Sequence, residues 1–337
     1  MDDQNPTFFQ RVNHVRYRRQ PQGHYESYFL RANHPARPLA FWIRYTIFSP
    51  KDRPDKAIGE LWAVYFDGET GWHVAAKQEL PFSDCSFSTN DFAVRVGAAL
   101  LQPGRLQGEV QAKGAEIGWD LAFAGDEPPL ILLPLKLYET KFPAAKSLVS
   151  LPLARFDGRL VVNGESIPVD GWQGSQNHNW GVRHTDLYAW GQVAGFDNAP
   201  GAFLEIASAR LRLGPFWSPP FTPIVLRYNG VEYALSGLMQ SLRAHGAFDY
   251  FTWNFKSETK HVAIEGAITA PPHAFVGLTY YNPPGGVKYC LNTKIASCKL
   301  SLLDKAEGVT RTLETQTRAA FEILTDDERR HEIKMSL

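Results

Sequence analysis

Imidazole, carboxylate and indole side chains crowd into one stretch at the middle of the chain, from Asp170 to Trp190 (DGWQGSQNHNWGVRHTDLYAW). Its 21 residues hold three Trp, one Tyr, two His, two Asp, two Asn, two Gln and one Arg. Loops are seldom so aromatic, and core strands are seldom so rich in amides and imidazoles. A mostly apolar small-molecule cavity with a few fixed polar groups needs both. A buried hydrogen-bond network joining two halves of a protein would use the same residues. In a fully extended stretch, Trp172, Gln176, His178, Trp180, His184, Asp186, Tyr188 and Trp190 share one face, because strand side chains alternate. Gly171, Gly174 and Gly181 favour a bend or bulge that would interrupt this parity, which is firmest over Asp186–Trp190.

His178 is the leading acid/base candidate, since the flanking amides of Asn177 and Asn179 can fix its tautomer. The alternative is a core histidine satisfied by hydrogen bonds. Glu205 is the second candidate, in the otherwise apolar run Ala202-Phe-Leu-Glu-Ile-Ala207. A carboxyl group there either reaches solvent or has its pKa raised, staying protonated as a general acid. His178 and His184 are placed to share a metal, but no third ligand stands at a diagnostic spacing, so no metal and no other cofactor is assigned. Gly-x-Gly-x-x-Gly, P-loop, Gly-x-Ser-x-Gly and His-Glu-x-x-His patterns are missing, which disfavours nucleotide chemistry and serine hydrolysis.

The elements that would position these residues are short alternating runs punctuated by Gly and Pro. About eighteen such strands argue for an all-β chain of antiparallel sandwiches or barrels. Asn163-Gly164 and Asn229-Gly230 each sit between alternating runs as tight hairpin turns, and a further hairpin is expected around Asp67–Gly71. The segment from Pro143 to Pro152 reads as a linker between two halves. Ile117–Phe123 resembles Tyr250–Phe255, and Trp119 and Trp253 stand 134 residues apart, about one domain length. The division is placed at 165/166, giving units of residues 1–165 and 166–337, with the aromatic stretch at the entry to the second. Residues 1–23 read as an irregular arm, and 326–333 as a short helix or a frayed tail.

A chain of 337 residues with 44% apolar residues has room for two cores. Lys+Arg and Asp+Glu are equal at 35 each, so nucleic acid is not indicated as a partner. The amino terminus lacks a basic segment followed by an apolar run, and the longest apolar run, 128–135, is too short for a helical span. No integral membrane segment is expected, while transient membrane contact stays open. Cys85, Cys290 and Cys298 form no C-x-x-C and fit reduced thiols in the cytoplasm. Cys290 and Cys298 have a spacing that a hairpin could bring together. Oligomeric state is not fixed by these features.

At Gln176-Asn-His-Asn-Trp-Gly181, followed by His184 and Tyr188-Ala-Trp-Gly191, the chain resembles the two-domain lipocalin-like (calycin) family of AttH-type proteins and carotenoid 1,2-hydratases (hydroxyneurosporene synthases). Tocopherol cyclases and fungal lipocalin-like Diels–Alderases are more distant in that likeness. The similarity extends to Glu26-Ser-Tyr-Phe-Leu30, Phe41-Trp-Ile-Arg-Tyr45 and Trp62…Phe66-Asp67. It implies two packed lipocalin-like β-barrels with a ligand cavity at or near their junction. It also implies that His178 and Trp180 match the family's active-region His and Trp. Where the hydratases place Tyr and Asp on the following strand, this chain has Phe203 and Glu205, so the acid is kept and the phenol lost. The implied chemistry is a hydratase or cyclase (hydro-lyase or isomerase) reaction. A C=C bond of an apolar unsaturated molecule is protonated by Glu205 or His178, and the cation is held over Trp180, Trp190 and Tyr188. Gln176, Asn177, His184 and Phe203 complete the expected binding set. A non-catalytic carrier of a hydrophobic metabolite, and a purely structural lock between the halves, are the competing readings.

Overall fold

The structure, a computed structural model, describes residue 8 and residues 11–112, 114–327 and 331–337. The segment 326–333 and the arm 1–23 therefore lie partly outside the described residues. The alternating runs form antiparallel strands. The first set is β1 (His24–Asn33), β2 (Leu39–Ser49), β3 (Ile58–Asp67), β4 (Val74–Pro81), β5 (Cys85–Phe87) and β6 (Val94–Val96). It continues with β7 (Ala99–Gln102), β8 (Arg105–Ala112), β9 (Ala115–Ala124), β10 (Leu130–Ile131), β11 (Ala145–Val162) and β12 (Glu165–Gly181). Their order is β4-β3-β2-β1-β12-β11-β9-β8-β7-β6-β5, with β10 added to β11, and the sheet curls until β4 meets β8 and β9.

The second sheet begins with β13 (Leu187–Phe196) and β14 (Ala199–Arg210). A separate ribbon of β15 (Arg212–Leu213) and β16 (Phe216–Trp217) follows. Then come β17 (Ile224–Tyr228), β18 (Val231–Leu235), a short helix α1 (Leu238–Arg243), β19 (His245–Asp249), β20 (Thr252–Glu258) and β21 (Val262–Thr269). β22 (Val276–Tyr281), β23 (Val287–Asp304) and β24 (Val309–Thr325) complete it. The order is β18-β17-β14-β13-β24-β23-β21-β20-β19, with β22 added to β23. Position for position this repeats the path of the first sheet: β1 corresponds to β13, β12 to β24 and β11 to β23. The duplication thus lies in the strand order. The tryptophan echo does not mark it, because Trp119 is on β9, which corresponds to β21, whereas Trp253 is on β20.

Both Asn-Gly turns adopt the left-handed backbone that a two-residue hairpin requires, with φ of 48° and 84° at Asn163 and Gly164 and 50° and 75° at Asn229 and Gly230. Two expectations are corrected. Residues 143–152 are not a linker, because all but the first two belong to β11, an 18-residue strand. Its ladder to β12 shifts register around Leu151 and Ala154, which is where a proline can stand without owing a ladder bond. The aromatic stretch is not at the entry to the second sheet either. Its first part is β12, held between β1 and β11 in the first sheet, and the chain changes sheet between Gly181 and Leu187.

Alternation sorts side chains to two sides of each sheet. Tyr28, Leu30, Phe41, Tyr45, Trp119 and Trp172 fill the inside of the first, and Leu204, Ile206, Trp253, Phe255 and Phe321 that of the second. Phe29, Trp42, Trp62 and Phe66, on the outer face of the first sheet, join the core of the second half, so the two sheets are cemented back to back. Gly174 permits the close approach of β1: a Cβ there would collide with the Arg31 carbonyl and lie 2.7 Å from the Ala32 Cα. Gly174→Ala is expected to lower stability by about 1–3 kcal/mol in urea melts, the range for overpacking, because backbone rather than a flexible side chain must yield.

No helix among the described residues is long and apolar enough to cross a membrane. Cys290 and Cys298 lie on the same strand, β23, and both are free thiols, so no hairpin brings them together.

Candidate functional site at the sheet junction

The two faces of β12 have different surroundings. Gln176, His178 and Trp180 point to the inner side, as their cross-strand partners Tyr28 and Leu30 do. His178 is fully buried there, stacked on Tyr28 at 4.3 Å and tilted against Trp180 at 4.8 Å. Its Nδ1 donates to the Val12 carbonyl at 2.6 Å, and its Nε2 lies 2.8 Å from Glu26 Oε1. The tautomer is therefore set by these partners; the Asn177 and Asn179 amides emerge on the opposite face.

Glu26 is fully buried and accepts from the Arg16 and Tyr17 backbone amides at 2.8 and 2.9 Å and from His24 Nε2 at 2.9 Å. Burial alone would raise its pKa, but the hydrogen bonds from His178 and His24 prevail and hold it at about 2. Both His178 nitrogens are thus taken up, Nδ1 by the Val12 carbonyl and Nε2 by the Glu26 carboxylate. This cluster ties the arm 12–17 to the end of the first barrel. Gln176 belongs to the same seam through its amide, 2.9 Å from Asn13 Oδ1, and Trp180 packs with Phe8, Val12 and Tyr138.

The odd-numbered side of β12 meets the second sheet across a network of buried polar groups. Arg31, fully buried, donates from Nε to Gln192 Oε1 at 2.7 Å, and Ser175 Oγ donates to the same oxygen at 2.6 Å. Arginine can only donate, so the Gln192 carbonyl must face it and the Gln192 NH2 must face the other way. That NH2 donates to Asn177 Oδ1 and to Glu205 Oε2, each at 2.8 Å. The Trp190 indole N–H donates to the other oxygen of Glu205 at 2.7 Å. Burial pushes the Glu205 carboxyl up to about 7, against the pull of Trp190, Gln192 and the Arg31 charge. Neither Trp190 nor the Gln192 amide can accept a proton, so the acid proton of neutral Glu205 has no taker in these two partners.

A cavity of about 420 Å³ opens beside Glu205 between the outer faces of the two sheets. Drug-sized ligands occupy sites of roughly 300–1,000 Å³. Asn177, His184, Tyr188, Trp190 and Glu205 line it. His178, Gln176, Trp180 and Phe203 do not; Phe203 is buried with Leu130, Val149 and Val225. His184 is sandwiched between Tyr25 at 4.0 Å and Tyr280 at 5.7 Å. Its burial, with the Arg44 charge nearby, lowers its pKa to about 3, so it is neutral. His178 and His184 stack on Tyr28 and Tyr25, which face opposite ways from β1, and cannot share a metal. Among the described residues no three His, Cys, Asp or Glu side chains converge as metal ligands. The expected common face from Trp172 to Trp190 is broken between the sheets at 182–186: the β12 members look inward and the β13 members look into the cavity.

Glu26, His24, Arg31, Arg44 and Gln192 were not singled out from the sequence. The signal that marked Glu205, a charge inside an apolar alternating run, is equally present at Arg31 in SYFLRAN and at Arg44 in FWIRYTIF. Leu238, Leu242 and Phe142 are exposed at the cavity mouth.

No family model matches the chain. Two Mycobacterium tuberculosis proteins, the uncharacterized proteins MT0513 and Rv0493c, are each 26% identical over 208 residues. The match covers 61% of this chain and 61% of the length of each relative. Solved structures align over 90% of the chain. A putative AttH from Nitrosomonas europaea does so with a TM-score of 0.56 at 12% identity, covering 91% of that chain. Kievitone hydratase from Nectria haematococca gives 0.55 at 12% over 89% of its length, and CghA with Sch210972 gives 0.55 at 10% over 88%. The resemblance carried by Gln176–Gly181 therefore holds at the level of the fold: the chain has the two-unit lipocalin-like architecture of AttH-type and hydratase-type proteins.

Proposed function

We propose that the protein is a hydratase- or cyclase-type enzyme in which Glu205 protonates a C=C bond of an apolar unsaturated molecule held in the junction cavity. The observation that carries this reading is Glu205 itself, a buried carboxyl on the cavity wall with a pKa near neutrality. A carboxyl poised there is protonated often enough to act as an acid and loses little driving force in giving up its proton. Trp190 and Gln192 orient it and stabilise the carboxylate left behind. The carbocation that forms is adjacent to the indole and phenol faces of Trp190 and Tyr188, whose quadrupoles favour a cation. Water or an internal nucleophile then completes hydration or ring closure, and the ionised Glu205 regains a proton. Kievitone hydratase, by its name, hydrates, and its likeness to this fold supports the class of reaction. His178 has a structural part in this scheme, as the partner of Glu26. The free thiols Cys85, Cys290 and Cys298 fit a cytoplasmic setting.

The test is carbon deuteration. Acyclic prenyl alkenes and conjugated polyenes are incubated with the protein in D2O and analysed by mass spectrometry. Hydration adds the elements of D2O, whereas isomerisation or cyclisation exchanges a proton for a deuteron. Binding of these molecules without any carbon-bound deuterium would leave a carrier in place of an enzyme.

A further inference from the structure

Four charged side chains line the cavity: Arg44, Lys146, Glu205 and Glu322. Glu322 is already matched, with Lys294 Nζ at 2.7 Å and Asn292 Nδ2 at 2.9 Å from its Oε1. Glu205 is neutral in its acid form. Neither cation has an ion-pair partner that close; Glu60 and Glu322 act on Arg44 only from a greater distance. Lys146, near the mouth, donates to the Pro143 carbonyl at 2.7 Å. Arg44 is 4% exposed, and its guanidinium donates from Nε and NH2 to a single neutral acceptor, Ser27 Oγ, at 2.8 and 2.6 Å. No carboxylate among the described residues lies within ion-pair distance of it. Its charge rests over the Tyr280 ring at 4.5 Å, with Tyr188 on the same cavity wall.

A buried guanidinium has five donors in a planar fork and is costly to keep without an anion. Ser27 occupies one edge of that fork, and the cavity is what adjoins the remainder. We propose that Arg44 is the anchor for an anionic oxygen head group, so that the ligand of this cavity is an unsaturated amphiphile with a carboxylate at one end and an apolar chain towards the mouth. This rests on the reading of the cavity as the substrate site and sharpens it. The head group on Arg44 fixes how far the chain reaches, and so which double bond lies against Glu205.

The probe is cis-parinaric acid, a conjugated tetraene carboxylate, compared with its methyl ester by fluorescence titration of the full chain at neutral pH. The acid is expected to bind about tenfold more tightly than the ester, the worth of one charge-assisted hydrogen-bond pair. Arg44→Gln is expected to erase that preference by weakening the acid alone, and Glu205→Gln to keep it. Should Arg44→Gln fail to fold, Arg44→Lys takes its place, with a reduced preference expected because the ammonium lacks the planar fork. Equal affinities for acid and ester, or a preference that survives at Arg44→Gln or is undiminished in Arg44→Lys, overturn the anchor and leave the cavity reading standing. If neither probe binds, the anchor is overturned, while the cavity reading is decided by the deuteration of neutral alkenes.

Discussion

Glu205→Gln is expected to depress carbon deuteration of a bound alkene by about 10²–10⁴-fold, the usual contribution of a positioned general acid. Binding should survive, since the substitution conserves shape on a cavity wall that is mostly apolar. The same residue fixes the pH dependence. Its folded-state pKa is raised from 4.5 to about 7, so the neutral form is the one the fold favours. That stabilisation is complete below the unfolded value and is lost as pH rises through 7. A shift of this size corresponds to roughly 3 kcal/mol, so the variant should gain on the wild type by that order between about pH 5 and about pH 8 in urea melts. Deuteration by the wild type should fall over the same upper range as the acid is titrated. A variant that deuterates its ligand like the wild type would remove Glu205 from the chemistry. A rate independent of pH would show that the proton comes from elsewhere.

The architecture was legible because alternation and Asn-Gly turns are local signals, and the all-β reading follows from them. The partition of strands between sheets was not. Pro152 and Gly171 look like punctuation, yet a long strand absorbs such residues at bulges when both its neighbours hold it, as β11 and β12 are held. The same limit explains the site. Parity places His178 and Asn177 on opposite faces of β12, but which face meets the second sheet depends on partners far away in sequence, 152 and 166 residues from His178. The Val12 carbonyl and Glu26 that seal His178 come from the arm and β1, and no spacing within residues 170–190 announces them. Glu205 was legible from its own strand because an acid among Phe, Leu and Ile is anomalous wherever that strand packs.

The cavity and the sealed cluster are thus two sites on one strand, and they should fail differently. Glu26→Ala is expected to cost about 3–5 kcal/mol, the usual effect of removing one partner of a buried ion pair. It would strand His178 Nε2, His24 Nε2 and the amides of Arg16 and Tyr17 without their shared partner. Because the Glu26 carboxyl is held at about 2, below its ordinary 4.5, its stabilisation is present above pH 4.5 and lost as pH falls towards 2. That acid limb, roughly 3 kcal/mol deep, should be present in wild-type urea melts and absent from the variant. Adding His178→Ala to Glu26→Ala should cost less than the two single losses summed, since the two side chains share one contact. Chains of Glu26→Ala that remain folded should still prefer parinaric acid to its ester, because Glu26 and Arg44 face opposite sides of the first sheet. A Glu26→Ala protein as stable as the wild type would mean that the arm is held by other contacts. Loss of the acid preference in folded Glu26→Ala would mean that the two faces of the sheet are coupled through β12.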